Sequence, residues 1–556
     1  MTAVIVPPTL PRPAAPPVPP TKTATAVAPA RPGWLAPVVR FWPLALALMA
    51  LGIYVAAGCF MLFSVHYEIG DALSRSEDAR EVLFSRDPHL AAWGFVWFPL
   101  PVVLQLPFMA VMSPLNQAAL SGPLSTAACG AVTVLVLVKL FRRLGLSEPV
   151  VAGLTITYCL NPVIIFYCGN GMSEASFYLA ASVFLLGIVA WFQEGGSLSL
   201  ILVSMGLAAS MAIREEALAL VPLVAALVAF RERSWARRAK VATLVALPGV
   251  FVFGLWTFAN WLIMGNPLFW YDGLSTEATP PGSASWLPAH KSLATGVVYA
   301  ARYTWAFVPA LVIVLPLLFL IVLRHRRRLW ALVSVVGAAA VFPGQVAATM
   351  SENKSWGDPR YFASLTVFAT VILALAAREA TAMRWGGAPA RRVICLSLVC
   401  LAALNAASGT LNDLNPRTTP VEDESRAFRA AFGLPQAKIV YAAVPIVEWH
   451  GFDSYIDPYL SKGQLIMVDT STAFPAPLFS RYPGGWIVPS NRDYQALSEN
   501  FSGQFQWLLQ SPTAADAQTA EINQALGSTD GGRWSKVEYF GPTVGELYRW
   551  VPNRPL

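Results

Sequence analysis

The chain has 556 residues, of which 55% are hydrophobic and only 13% charged, with a mean hydropathy of +0.52, whereas soluble domains carry roughly 25% charged residues. That excludes a soluble enzyme, a disordered chain, a coiled coil and a disulfide scaffold, because apolar runs of about 20 residues, long enough to cross a bilayer, recur along most of the sequence. The net charge of +7 points to membrane topology rather than to nucleic acid, since the basic residues sit in short clusters between apolar runs.

Residues 1–40 are dominated by Pro, Ala, Thr and Val, with Pro16, Pro17, Pro19 and Pro20 close together. Such a composition favours extended segments and builds no core, so a disordered cytoplasmic tail is expected, without a removable signal peptide. Arg31 and Arg40 flank the first apolar run and favour a cytoplasmic N-terminus.

A membrane domain is expected over 41–408, with eleven spans at about 42–64, 121–140, 148–167, 173–193, 196–213, 215–231, 241–264, 303–323, 329–350, 362–382 and 392–408. Threaded from a cytoplasmic N-terminus, they place Lys139/Arg142/Arg143, Arg231/Arg233/Arg237/Arg238/Lys240, Arg324/Arg326/Arg327/Arg328 and Arg384/Arg391/Arg392 on the inner side, in agreement with one another. Residues 93–114 are long enough to cross, but Pro99, Pro101 and Pro107 interrupt the helix, and counting them would put Lys139/Arg142/Arg143 outside. They are expected to be re-entrant or juxtamembrane. The six cysteines, Cys59, Cys129, Cys159, Cys168, Cys395 and Cys400, lack the paired spacing of a metal or redox motif and read as small core residues.

The first outer loop, 65–120, interleaves Glu68, Asp71, Glu77, Asp78, Glu81 and Asp87 with Arg75, Arg80 and Arg86. A helix over 70–84 would place Asp71, Arg75 and Asp78 on one face; a solvated helix with paired charges is the plainer reading. Arg214 lies in SMAIREEALALVP between two apolar runs, at a depth where an arginine costs about 2.5–3.5 kcal/mol and so needs a partner. Glu215 and Glu216 would serve, as would an anionic ligand. The long outer loop 265–302 carries Trp270, Tyr271, Trp286 and His290, and loops of this length bind or gate something unless their aromatic residues only anchor them at the interface. A short outer loop, SENKSWGDPRYF, holds Lys354, Asp358 and Arg360; the planar guanidinium of Arg360 suits phosphate oxygens, with a salt bridge to Asp358 as the alternative.

From 409 to 556 the apolar runs become short and β-rich (KIVYAAVPIV, GQLIMVD, GWIVPS, FQWLLQ, SKVEYFG, ELYRWV), with helical stretches near 422–432 and 514–526. A small α/β domain is expected, outside the cytoplasm because the number of spans is odd.

An acid soon after the first span (GDALSR), a proline-interrupted segment (FVWFPLPVVLQLPF), an arginine and acids between two short spans (AIREEALAL), a GNPL element after a long span and an RYF before a late one follow one another in a familiar order. Together they resemble the GT-C superfamily of glycosyltransferases, specifically bacterial enzymes similar to protein mannosyltransferases and lipid A aminoarabinose transferases, over about 42–408. The resemblance implies an inverting transfer of a hexosyl or pentosyl group from a polyprenyl-phosphate donor to a hydroxyl of a glycan, lipid or protein at the outer membrane face. It makes Asp71 the catalytic acid, with Glu77 and Asp78 assisting, and Arg214, Arg360, Lys354 and His89 the phosphate contacts. Two departures stand out: the family's tandem acid pair is Asp71-Ala72 here, and its lysine before the prolines is replaced by Trp97-Phe98. The residues fix no cofactor; Glu77 or Asp78 is a candidate to hold a divalent cation, but two carboxylates alone do not make a metal site. A transporter or lipid flippase is the main rival, but transporters place ionisable residues near the midplane of repeated halves, and no internal repeat is visible. A scaffold that only displays the C-terminal domain is a second rival, and it would need neither the charged first loop nor Arg214.

Overall fold

The computed structural model describes residues 35–271, 292–322, 326–351, 359–382, 388–414, 444–468, 473, 475–499, 503–510, 522, 525–527, 532–541 and 544–553. The Pro-rich tail up to 34, the centre of the long loop 265–302 with Trp286 and His290, Lys354, Asp358, the stretch 422–432 and most of the stretch 514–526 lie outside them.

The first ten helices are α1 (Leu35–Cys59), α2 (Gly70–Phe84), α3 (Leu100–Met112), α4 (Ser121–Arg143), α5 (Glu148–Cys159), α6 (Pro162–Gly169), α7 (Glu174–Gln193), α8 (Ser197–Met211), α9 (Ala217–Ala229) and α10 (Trp235–Met264). Helices Leu293–Phe307, Pro309–Val322, Arg326–Ser351, Pro359–Ala363, Leu365–Ala382 and Ala388–Leu414 follow. Among the described residues seven helical segments are long and apolar enough to cross a membrane, so the chain is a polytopic helical membrane protein. Two expected spans are bent pairs: α5 and α6 meet at 59° before Pro162, and the helices around Val308 meet at 98° before Pro309. Proline has no N–H for the ladder and disfavours helical backbone in the residue before it, which sets both breaks. Two more, 196–213 and 215–231, shrink to α8 and α9, of 15 and 13 residues, each short of the roughly 20 residues that span the hydrocarbon core. The proline-interrupted segment folds as the 13-residue α3, also too short to cross.

Helix α7 is deeply buried in the bundle, 83% over its apolar stretch, second to the 89% of the stretch Arg360–Ala382. It touches α8 closely because glycines face backbone: a Cβ at Gly187 would come 2.6 Å from the Val203 nitrogen, and one at Gly206 2.7 Å from that of Phe184. Small residues at such contacts are how helices pack without a hydrophobic driving force. Cys129, Cys159, Cys168 and Cys395 are buried as expected, but Cys400 is exposed on the outside of the last long helix.

Past Leu414 the strands β3 (Ile466–Val468), β4 (Trp486–Ile487), β5 (Trp507–Gln510), β6 (Gly532–Tyr539) and β7 (Glu546–Pro552) form one sheet in the order β4-β3-β5-β7-β6. β3 runs parallel to β4 and β5, and β7 antiparallel to β5 and β6. Alternation along the strands sends Ile466, Val468, Trp507 and Leu509 to one face and Met467 and Leu508 to the other, and both faces are covered. Of the six expected strands, KIVYAAVPIV is different: its last two residues, Ile446 and Val447, open the helix Ile446–Leu460. Just before that helix, β2 (Val444–Pro445) pairs antiparallel with β1 (Tyr67–Glu68) of the first loop.

Candidate active site

Helix α2 starts where Ile69 is extended and ends where Ser85 is extended. Asp71 sits in its first turn, where a carboxylate complements the helix dipole. Ser76 Oγ donates to Gln105 Oε1 at 3.1 Å, fixing α2 against α3. The charged helix is therefore a built element, with Arg75, Glu77, Arg80 and Glu81 all buried, rather than a solvated one.

A small cleft, about 30 Å³ in volume and partly open to solvent, lies beside α2 and is lined by Arg75, Trp97, Phe98, Arg214, Arg360 and Tyr361, with Val96, Ser173, Ile213 and Glu215 completing the wall. Five segments remote in sequence meet here. Arg360 Nη1 donates to Asp71 Oδ2 at 2.7 Å, and both side chains keep partial access, 18% and 24% exposed. Arg75 Nη1 donates to the Asp71 carbonyl at 3.0 Å, and its guanidinium lies over the Trp97 ring at 4.4 Å. The Arg75 Nε is buried with no hydrogen-bond partner. Burial alone would raise the Asp71 pKa, but Arg360, Arg75 and Arg214 outweigh it and hold the carboxyl below its ordinary value.

Arg214, in the tight turn between α8 and α9, is held differently. Its Nε donates to both oxygens of Glu216 at 2.9 and 3.0 Å, its Nη2 to Glu216 at 2.7 Å and its Nη1 to Glu174 at the start of α7. Glu174 and Glu216 side chains are fully buried, so the partners of Arg214 are Glu216 and Glu174 rather than the Glu215–Glu216 pair read from the sequence. Despite burial, these carboxylates push the Arg214 pKa well above its ordinary value. Glu215 lines the cleft instead, and burial with the charge of Glu216 raises its pKa.

The other expected site residues stand elsewhere. Glu77 lies against Glu81, and burial together with the charges of Glu81 and Asp78 pushes its pKa well above the usual carboxylate range. The Asp78 carboxylate packs on Gly94, where a Cβ would meet it at 2.9 Å. His89 Nδ1 sits 2.6 Å from the Asp87 carbonyl. None of the three lines the cleft. No group of three or more His, Cys, Asp or Glu arranged to hold a metal ion occurs among the described residues. Sequence reading missed Arg75 as a site residue, having placed it only on the face of α2, and missed Glu174, although an acid opening an apolar run (SEASF) is a signal in itself.

No protein-family model and no curated protein sequence matches the chain. Among solved structures it is similar to apo ArnT from Cupriavidus metallidurans, with 12% identity and a TM-score of 0.52 over 92% of this chain and 98% of that one. ArnT from the same organism bound to undecaprenyl phosphate aligns at 13% identity and TM-score 0.45, covering 93% and 98% of the two chains. The archaeal oligosaccharyltransferase AglB from Archaeoglobus fulgidus, in complex with an inhibitory peptide and a dolichol-phosphate, aligns at 12% identity and TM-score 0.45, covering 94% and 76%. The alignment with apo ArnT, over nearly the whole of both chains, shows that this chain shares the overall fold of that structure.

Proposed function

We propose that the protein is a membrane glycosyltransferase that moves a sugar from a polyprenyl-phosphate donor to an acceptor hydroxyl at the outer face of the membrane. The observation that carries the reading is the meeting, in one cleft, of the Asp71 carboxylate with the guanidinium groups of Arg75 and Arg360. The fold shared with apo ArnT supports it, as does the order of motifs that made Asp71 the family's acid.

In this reading the donor phosphate lies against Arg75 and Arg360. Guanidinium forks match phosphate oxygens, and the buried Nε of Arg75 gives one more donor. Trp97 stands where the family has a lysine and braces Arg75 from one side. Arg214, saturated by Glu174 and Glu216, supports the wall of the cleft. The acceptor oxygen attacks the anomeric carbon from the face opposite the phosphate, forming the new C–O bond as the bond to the phosphate oxygen breaks. The polyprenyl phosphate leaves with the electron pair, and Asp71 takes the acceptor proton. One displacement inverts the anomeric centre. The sugar is a hexosyl or pentosyl group and the acceptor a glycan, lipid or protein hydroxyl.

The test uses purified protein in proteoliposomes with an undecaprenyl-phosphate-linked sugar. Release of undecaprenyl phosphate that requires both the protein and an acceptor supports the reading. Movement of the lipid across the bilayer with its sugar bond intact would favour the flippase instead.

A further inference from the structure

Helix α2 carries Asp71 at one end and Arg80 nine residues on, about 13 Å along the axis and half a turn round it. One face thus meets the cleft while the other meets the C-terminal domain. Arg80 is 3% exposed, and every part of its fork is used on that second face. Its Nη1 donates to the carbonyls of Pro477 and, at 2.8 Å, Leu478; its Nη2 donates to the Ser480 carbonyl at 2.7 Å; its Nε donates to Ser113 Oγ at 3.1 Å. Three carbonyls of one turn, Pro477 to Ser480, therefore converge on a single side chain from α2. Leu478 packs into the same apolar cluster as Leu62, Leu73 and Ala79. Around this centre Ser490 donates to Glu81 at 2.9 Å, Arg86 pairs with Asp493, and Arg492 makes a two-pronged pair with Asp87. Burial pulls the Arg80 pKa down to about 10, against the raising pull of Asp453, Glu81, Asp457 and Glu77, which leaves it charged at neutral pH.

We infer that Arg80 is a positioning residue: through it the turn 477–480 of the C-terminal domain fixes the rotation and depth of α2, and so the place of Asp71 in the cleft. The C-terminal domain is then part of the catalytic apparatus although none of its described residues lines the cleft. The geometry favours this over simple adhesion. Arg80 is the polar anchor buried deepest between the two regions, whereas Arg492 is 74% exposed, and exposed pairs contribute little. A helix held at its apolar face alone can rotate, and three converging carbonyls remove that freedom. The inference rests on the glycosyltransferase reading only for what α2 does, not for the grip itself.

Full-length wild type, Arg80→Met and Arg80→Lys are compared by hydrogen exchange over 70–84 and by turnover of an undecaprenyl-phosphate-linked sugar. In Arg80→Met, exchange over 70–76 should rise at least tenfold while the sheet strands 466–468 and 507–510 stay protected. The kcat should fall at least tenfold with the donor KM changing less than threefold, and Arg80→Lys, which keeps the charge and one donor, should lie between. Unchanged exchange in folded Arg80→Met overturns the inference, as does increased exchange with an unchanged kcat. If Arg80→Met does not fold, Arg80→Lys is held to the same two readings, with an expected change of about threefold in each. If wild type turns over no donor, the glycosyltransferase reading fails by itself, and the exchange measurement alone decides whether Arg80 grips α2.

Discussion

Asp71 and Arg360 are 289 residues apart in sequence and 2.7 Å apart in space. The ion pair joins the first turn of α2 to the short helix that precedes the late span, and it closes one side of the cleft. Arg360 thus has two tasks in the proposed reaction: it keeps the base ionised, and it faces the phosphate.

Removing Arg360 should therefore move the pH dependence as well as the affinity. Burial raises the Asp71 pKa and Arg360 is the largest opposing influence, so in Arg360→Gln burial gains the upper hand and the pKa rises. The acid limb of the kcat–pH profile should shift to higher pH than in wild type. A limb at the wild-type position would mean that Asp71 is not the titrating base.

Arg75 should matter for donor binding in its own right. A hydrogen bond to a charged group is worth about 1.5–3 kcal/mol, so Arg75→Ala should weaken binding of undecaprenyl phosphate about 10- to 100-fold by titration. Lysine should restore only part, because it keeps the charge and loses both the fork and the stacking on Trp97.

Arg214 should behave as a structural residue. Removing one member of a buried ion cluster costs about 3–5 kcal/mol because the partners are left charged and unpaired. Arg214→Met should lower the melting temperature and the yield of folded protein, and adding Glu216→Gln should recover part of the loss. A stable Arg214→Met whose only defect is in donor affinity would return this arginine to the phosphate site.

The interface acids set a stability dependence of definite sign. Burial pushes Glu81 up to about 7 although the Ser490 hydroxyl and Arg80 favour its charged form. The folded state thus binds a proton that the unfolded chain, with a glutamate near 4.3, has already lost. Stability contributed in this way is full below about pH 4.3 and declines as pH rises through about 7. Between pH 5.5 and 8 the melting temperature of wild type should fall further than that of Glu81→Gln, by about 3 °C; equal falls would show that Glu81 does not titrate in this range.

Much of this was legible in the sequence because bilayer thickness and helix period leave direct marks. The 70–84 helix was readable from charge spacing, and strands β3 to β7 from short apolar runs. The helix Ile446–Leu460 was hidden because Val444–Pro445 continues as an apolar, strand-like run into Ile446 and Val447. Yet Trp449, Phe452, Ile456 and Leu460 recur at helical spacing and form its buried face. The eleven-span count met prolines that bend two spans and a turn that shortens two more, features that hydropathy does not encode. At the site, sequence order supplied Asp71, Arg214 and Arg360. It did not supply their pairing, because a partner across 289 residues is a property of the packed bundle. Local reading gave Arg214 its neighbours Glu215 and Glu216, while the fold also brought in Glu174 from α7.

The central claim, that Asp71 is the base of a glycosyl transfer, is tested most directly by Asp71→Asn, which keeps the size of the side chain and removes the proton acceptor. In purified, folded protein with an undecaprenyl-phosphate-linked sugar, donor binding should persist, and the transfer rate should fall about 100- to 10,000-fold, the range spanned by general-base catalysis. Transfer at the wild-type rate by folded Asp71→Asn would contradict the account.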